Sequence, residues 1–256
     1  MKHIKRKFLL THNIEEESYK ALEKALGNPN NKREDSNENM VPHLITTNNE
    51  LIQAFFYNLN GTKVQIPEPN PIVIYFSNAQ GFLMVIKEQR KKLFKELELQ
   101  DYNIGNVLNL MFGFYGCVVN YSSSLFDSLE AFVNSKIPME YKYTNPKRKK
   151  KTMDKFKIIR YLSFEDKVKF VFPEIYSGKN FVKEKSHLYE NLKKLLELRN
   201  NITHAKSDLN YDVNYYEKLF IQTLDFDYEK SIESAKDFIN FYDENLIEPC
   251  NCGLKH

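Results

Sequence analysis

Arg199 and His204, five positions apart, are the residues of this chain whose types and spacing best suit chemistry on an anion. The segment before them has apolar residues at helical spacing, namely Leu188, Leu192, Leu195 and Leu196. At about 100° per residue, Arg199 falls near the middle of that apolar stripe. A guanidinium cannot lose its charge, and an unpaired charge in a core is costly. We therefore expect Arg199 to meet either a carboxylate of this fold or a phosphate from outside.

The spacing also decides whether Arg199 and His204 can act together. On an unbroken helix, residues five positions apart point about 140° away from each other. Asn200 and Asn201 lie between them and are poor mid-helix residues but good cap or turn residues, so we predict that the helix breaks or bends there. The alternative is a continuous helix whose two side chains act across a symmetric dimer interface.

The segment Arg199–His204 resembles the R-x4-6-H motif of the HEPN superfamily, in which a polar residue commonly follows the Arg, as it does here. The upstream segment Phe126–Asn134 is similar to a helix of many such proteins that carries a Glu and an Asn, here Glu130 and Asn134. The resemblance covers roughly residues 104–246 and leaves the first hundred residues unmatched. It implies an all-α bundle that forms a homodimer and brings two copies of the motif together.

The resemblance also implies an activity, which is metal-independent cleavage of single-stranded RNA, often in toxin or antiviral systems. A histidine can take the proton from a ribose 2′-OH or donate one to the leaving 5′-oxygen, while an arginine clamps the scissile phosphate. The expected products are a 2′,3′-cyclic phosphate and a 5′-hydroxyl, so DNA should be inert. The catalytic candidates are Arg199, His204 and Asn200, and the supporting candidates are Asn201, Glu130 and Asn134.

A basic run lies in a predicted loop and is a second candidate for contact with RNA. Its members are Lys147, Arg148, Lys149, Lys150 and Lys151. Together with nearby tyrosines, the run can contact phosphates and stack on bases, although such a run is more often a solvated loop. Lys206 joins these RNA-binding candidates because it follows His204 by two residues. In family members regulated by nucleotidylation that position is a Tyr, so the resemblance supplies no modification site here.

A structural role for Arg199 remains an alternative to the catalytic one. Glu130 is the natural carboxylate partner, and such an ion pair would only hold two helices together. Asp127, Glu130 and Asn134 share the helix face opposite the apolar stripe, which is a position typical of solvated side chains. In this second hypothesis the protein is a non-catalytic HEPN-like module for dimerisation or nucleotide binding. A basic open cleft would favour RNA, and an Arg199 satisfied by Glu130 would favour a scaffold.

The C-terminal tail carries Cys250, Cys252 and His256 at C-x-C-x3-H spacing. Zinc prefers four ligands, so a fourth would have to come from elsewhere in the chain or from a partner. The segment Pro249–Gly253 is similar to the opening of the SEC-C zinc motif but lacks that motif's later Cys. We therefore predict no metal and no cofactor, and keep a zinc-assisted interaction protein as a distant third hypothesis.

The composition favours a mainly α protein of 256 residues. Only 8 Gly and 9 Pro argue against a turn-rich all-β fold, and a net charge of +3 does not by itself indicate nucleic-acid binding. No apolar run approaches the ~18 residues of a membrane span, and three cysteines do not form a disulfide framework. No P-loop, Rossmann fingerprint, H-E-x-x-H or G-x-S-x-G motif occurs. We expect a cytoplasmic protein with RNA as its partner, no membrane contact and an unidentified regulatory partner.

The predicted organisation has three parts. Residues 1–100 form an accessory region, less regular and containing a short strand or two; residues 101–247 form the HEPN-like helical domain; and residues 248–256 form a short Cys/His tail. Within these parts we predict helices over 14–26, 49–59, 79–97, 104–136, 163–172 and 182–198, then from 202 onward and over 228–245. Ile72–Phe76 is predicted to be a strand or a buried extended segment.

Overall fold

The computed structural model describes residues 2–13, 42–46, 50–144, 152–204 and 215–253. The chain forms two compact units: a helical unit, Met1–Lys5 with Pro71–His256, and a strand unit, Arg6–Asn70. The division therefore falls at residue 70, whereas we predicted an accessory region extending to residue 100. The predicted helix over 14–26 lies outside the described residues.

The strand unit is an antiparallel sheet around one central strand. Its strands are β1 (Leu10–Asn13), β2 (His43–Ile45), β3 (Glu50–Leu59) and β4 (Thr62–Pro67), and the other three all pair with β3. The helix predicted over 49–59 is wrong, because this segment is β3. The sequence signal for this strand is the turn that follows it. Asn60-Gly61, with φ values of 50° and 88°, forms the two-residue turn of a β-hairpin.

The helical unit contains most of the chain and confirms the predicted mainly α fold. Its helices are α1 (Pro71–Leu97), α2 (Ile104–Ser135), α3 (Lys155–Tyr161), α4 (Phe164–Asp166), α5 (Phe172–Ile175), α6 (Phe181–Glu184), α7 (Ser186–Thr203), α8 (Tyr215–Asp225) and α9 (Tyr228–Tyr242). A single π-helical turn, Lys167–Val171, joins α4 to α5, and a short ribbon pairs β5 (Tyr143–Thr144) with β6 (Thr152–Met153). No helix among the described residues is long and apolar enough to cross a membrane.

α1 begins earlier than predicted. Ile72–Phe76 is its first full turn rather than an extended segment, since Pro71 occupies the first helical position, where a missing N–H costs nothing. Ile72, Val73 and Phe76 are buried at helical spacing, and the side chain of Ser128 on α2 donates to the Ile72 carbonyl at 2.8 Å. α1 and α2 therefore pack along their length, and residues 71–97 belong to the helical core.

α2 is the central helix of the core, as predicted over 104–136. Asn103 caps it by accepting a hydrogen bond from the Asn106 N–H at 3.1 Å. Its buried stripe packs against α1, α7 and α9 and includes Phe114, Val118, Tyr121, Leu125, Leu129 and Phe132. The predicted supporting residues Glu130 and Asn134 lie on another side of the same helix, outside this buried stripe.

Candidate functional site

α7 runs without interruption through the motif. The predicted break at Asn200 and Asn201 is wrong: the His204 N–H donates to the Asn200 carbonyl at 2.9 Å, which is a helical hydrogen bond, and His204 is the C-cap. Contacts with α8 hold this last turn. Asn201 Nδ2 donates to Gln222 Oε1 at 3.0 Å, and Tyr215 donates its hydroxyl proton to the Asn201 carbonyl at 3.2 Å.

The continuous helix separates the two catalytic candidates. Arg199 and His204 lie about 140° apart around the axis of α7, so they do not converge on one point within a single chain. Asn201 faces α8 instead of Arg199, which gives it a packing role in the helical unit. The side chain of His204 is exposed at the end of the helix.

Arg199 lies at the edge of the apolar stripe rather than near its middle. The buried positions of α7 are Tyr189, Leu192, Leu195 and Leu198. The prediction relied on Leu188 and Leu196, which are only partly buried, and this displaced the expected centre of the stripe. Arg199 is therefore half-buried and its guanidinium reaches the surface.

The guanidinium of Arg199 packs on α2. Its carbon lies 5.0 Å from the ring centroid of Phe126, and Nη1 donates to the side chain of Asn200 at 3.3 Å. The Phe126 ring thus lies against one side of the cation, while Nη1 holds the exposed Asn200 amide. Within the described ranges, no carboxylate reaches ion-pair distance of Arg199.

Asp127 is the carboxylate whose charge interacts with Arg199. Partial burial raises the pKa of Asp127, the nearby Arg199 lowers it, and Glu130 raises it. The raised pKa shows that the attraction from Arg199 does not offset burial and repulsion.

Glu130 does not pair with Arg199. Its Oε1 lies 3.7 Å from Nζ of Lys167, and the side chain of Asn134 accepts a hydrogen bond from the same Nζ at 2.9 Å. The supporting candidates on α2 are thus committed to a lysine that the sequence analysis did not name. The expected scaffold pair of Arg199 with Glu130 is not what the structure contains.

Lys167 opens the π-helical turn and is buried, with a side chain only 1% exposed. Its ammonium also donates to the Ile159 carbonyl at 3.1 Å. Burial lowers the pKa of Lys167, and Glu130 acts in the opposite direction. π-turns inserted into helices often accompany functional sites. Here the turn directs a cation towards α2, where it fixes Asn134 and Glu130.

A sequence signal for Lys167 existed. Phe164, Val168 and Val171 are the apolar residues of the predicted helix over 163–172, and a lysine at 167 falls between them on the same face. The same criterion, a charged residue on an apolar helix face, selected Arg199. It applies more accurately to Lys167, whose charge is buried.

The remaining RNA-binding candidates, Lys147, Arg148, Lys149, Lys150, Lys151 and Lys206, lie outside the described residues. Among the described residues, a cleft of about 310 Å³ opens between α7, α8 and α9, with Lys194, Gln222 and Lys230 in its lining. Gln222 is the residue that binds Asn201, but neither Arg199 nor His204 lines this cleft.

The chemistry available at the site is that of a partly exposed, aromatic-backed guanidinium with an amide beside it. This arrangement can hold a phosphate in the plane of the fork, with Asp127 as the internal competitor. His204 of the same helix points away from this group. Comparisons with protein-family models, with curated proteins and with solved structures found no match for this chain.

Proposed function

We propose that this protein is a metal-independent endoribonuclease in which two copies of the chain build composite sites from Arg199 and His204. The observation that carries the proposal is the state of Arg199. Its guanidinium is partly exposed and backed by Phe126, and within the described ranges it has no carboxylate at ion-pair distance. Such a group is suited to bind a phosphate from outside the fold.

The direction of the side chains supports a dimer. A single α7 presents Arg199 and His204 on different faces, so a two-fold axis near its C-terminal end is the simplest way to bring one of each together. Each site would then take Arg199 from one chain and His204 from the other. The same axis would generate two equivalent sites in every dimer.

The reaction at such a site needs no metal. His204 accepts the proton of the ribose 2′-OH as its oxygen attacks the adjacent phosphorus, the bond from phosphorus to the 5′-oxygen breaks, and a proton is returned to that oxygen. Arg199 binds the non-bridging oxygens and stabilises the charge that develops on them. Asn200, held by Nη1 of Arg199, is positioned to orient the fork. The products are a 2′,3′-cyclic phosphate end and a 5′-hydroxyl end.

The experiment is subunit complementation. Purified wild type, Arg199→Ala and His204→Ala are incubated in EDTA with single-stranded RNA, and the fragment ends are characterised. Each single variant should lose activity by about a hundredfold or more. A mixture of the two variants, allowed to exchange subunits, should recover about a quarter of wild-type activity, because half of the dimers contain one intact site of two.

Two variants serve as matched controls. Arg160→Ala removes another arginine that packs on an aromatic ring, 5.5 Å from the Tyr161 centroid, and His187→Ala removes an exposed histidine at the start of α7. Both should cleave RNA as the wild type does. If the variants stay dimeric and no mixture regains activity, the composite site is rejected; if wild type leaves RNA intact, so is the ribonuclease.

The second candidate function is the non-catalytic module, for dimerisation or nucleotide binding. It is favoured by the structural use of the last turn of α7, where Asn201 is bound by Tyr215 and Gln222. In that case Arg199→Ala would weaken the dimer, as measured by sedimentation, and wild type would cleave no RNA. Either function fits a cytoplasmic protein, which we propose for both.

A further inference from the structure

Three side chains of types that can ligate metals, from residues distant in sequence, meet in the helical unit. Nδ1 of His3 lies 3.0 Å from Sγ of Cys250 and 3.5 Å from Sγ of Cys252. All three ligand atoms lie within 4.8 Å of one another. The sequence left open a ligand from elsewhere in the chain for this tail, and His3 is a candidate for it.

Backbone pairing between the two ends places these side chains together. Ile4 and Pro249 form an antiparallel bridge, the Cys250 N–H donates to the His3 carbonyl at 2.7 Å, and the Lys5 N–H donates to the Glu248 carbonyl at 2.8 Å. The ligands therefore project from a short two-stranded pairing, which holds them before any ion arrives.

The pairing is anchored to the helical core on both sides. Ile4 is 2% exposed and Ile247 is 1% exposed, and both belong to the main apolar cluster. Asn240 of α9 accepts from the Ile247 N–H at 2.9 Å and donates to its carbonyl at 3.0 Å. Gln80 of α1 donates to the Lys2 carbonyl at 3.0 Å. The ligands thus extend from a fixed base, which reduces the entropy that binding must overcome.

We propose that His3, Cys250 and Cys252 bind a zinc ion, with the fourth position taken by water or by one further donor. Two sulfurs and one imidazole nitrogen are the donor set that Zn²⁺ favours over Mg²⁺ or Ca²⁺. From zinc–ligand bonds of about 2.0–2.3 Å, ligand atoms of a tetrahedral site lie about 3.5–3.8 Å apart. The 3.5 Å separation fits this spacing, and the 3.0 Å separation needs to open by a few tenths of an ångström.

The binding step balances simply. Neither Cys250 nor Cys252 takes part in a disulfide in this structure. Zinc binds thiolates, so two protons leave for each ion that enters, and affinity rises with pH. His3 binds as neutral imidazole through Nδ1. No oxidant or reductant is involved.

The site would act as a clip between the two ends of the chain. It fastens residues 3–5 to residues 248–250, so the ion binds the folded chain more tightly than the unfolded one. The site uses neither Arg199 nor His204, and its presence is independent of RNA cleavage. Its expected consequence is a metal-dependent gain in thermal stability.

The experiment titrates Co²⁺ and then Zn²⁺ into the full-length, untagged, fully reduced protein. Cobalt should bind at one ion per chain with thiolate charge-transfer absorption and tetrahedral d–d bands, zinc should displace it, and two protons should be released. His3→Ala and Cys252→Ser should each weaken binding by about a hundredfold or more, since a lost ligand costs at least as much as a lost outer-shell partner. Cys117→Ser, which changes the thiol on α2, should bind as wild type does.

One further variant, a folding control and an oxidation control keep the test decisive. Circular dichroism must show that each variant keeps its helices, and zinc must raise the melting temperature of wild type but not of His3→Ala. If His256→Ala abolishes binding while His3→Ala leaves it intact, the tail binds alone and the proposed site is wrong. If the reduced protein binds no cobalt, and mild oxidation instead joins Cys250 to Cys252, the pair is a redox site and the zinc proposal fails.

Discussion

Lys167 and Arg199 approach the same polar edge of α2 in opposite states. Lys167 is buried, and its ammonium has Asn134, Glu130 and the Ile159 carbonyl around it. Arg199 lies one helix away, partly exposed, with the Phe126 ring on one side and a single amide contact. The ammonium of Lys167 is enclosed by groups of the protein, whereas the guanidinium of Arg199 keeps N–H donors that a ligand could use.

The difference teaches how to separate a structural cation from a candidate binding one. The ammonium of Lys167 spends two of its three N–H donors on hydrogen bonds and has a carboxylate beside it. A guanidinium has five N–H donors, and Arg199 uses one of them in a described contact. Asp127 is the carboxylate whose charge interacts with that of Arg199; it is partly buried and its pKa is raised. On this edge of α2, Glu130 and Asn134 contact Lys167, to which we assign a role in stability. Phe126 contacts Arg199, to which we assign the proposed function.

The largest expected effect is on stability. Lys167→Ala should lower the free energy of unfolding by about 2–4 kcal/mol, because it leaves a cavity and removes the partner of buried oxygens. Arg199→Ala should lower it by less than about 1 kcal/mol, since an exposed stacking contact is replaced by water. Urea unfolding followed by circular dichroism measures both values.

The matched control for this test is Lys169→Ala in the same π-turn. Lys169 is 37% exposed and pairs with Glu165 one turn before it, so its removal should change stability by less than about 0.5 kcal/mol. Equal losses for Lys167→Ala and Arg199→Ala would erase the proposed contrast between the two cations.

A second, smaller effect is the coupling energy of each cation with α2. A double-mutant cycle of Lys167→Ala with Asn134→Ala should give a coupling of about 1–2 kcal/mol, as for a buried charge-assisted hydrogen bond. The cycle of Arg199→Ala with Asp127→Ala should give less than about 0.5 kcal/mol. A larger coupling for the second pair would mean that Asp127 satisfies Arg199, and the phosphate-binding proposal would lose its basis.

Sequence reasoning succeeded where one helix carries its own pattern. α2 was predicted within one residue at its C-terminal end, because its apolar stripe repeats over many turns and Pro138 follows it. It failed where neighbours decide the structure. Glu50–Leu59 is a strand because β1, β2 and β4 pair with it, and α7 continues past Asn200 because α8 binds Asn201.

The candidate site shows the same limit. The helical wheel identified a charge on an apolar face, but an error of one position in the stripe decided whether Arg199 was buried. Lys167 satisfied the same criterion and was passed over. His3 could not be found at all, since nothing in the local sequence indicates that residue 3 lies beside residue 250.

The pH dependence of stability should distinguish the two cations further. Burial lowers the pKa of Lys167 below its usual 10.5. At pH values between the lowered pKa of the folded chain and 10.5, the unfolded chain therefore binds this proton more fully than the folded chain. The contribution of Lys167 to stability must therefore rise with pH across that window. Buried tyrosines act in the opposite direction, for example Tyr242, whose pKa is raised to about 12. The measurement is thus the difference between wild type and Lys167→Met, in which the tyrosine contributions cancel.

In that difference, stability relative to Lys167→Met should increase as the pH approaches 10.5 from below. Lys167→Met keeps the length of the side chain and removes the charge, which makes it a closer control than alanine. A difference that stays flat with pH would show that the three oxygens near Lys167 compensate its burial fully.

The smallest expected effect lies at Asp127 and concerns its pKa. Arg199 lowers the pKa of this carboxyl, while burial and Glu130 raise it. Arg199→Ala should therefore raise the pKa of Asp127 further, and Glu130→Gln should lower it, both read from the carboxyl carbon by NMR titration. Since the folded pKa is already raised, an ionised Asp127 costs stability as pH rises through that pKa, and Asp127→Asn should slightly stabilise the protein at neutral pH.

The same variant, Asp127→Asn, removes the internal competitor of a bound phosphate. It should tighten binding of a non-cleavable RNA in wild type but not in Arg199→Ala, and an equal gain in both would place the phosphate elsewhere.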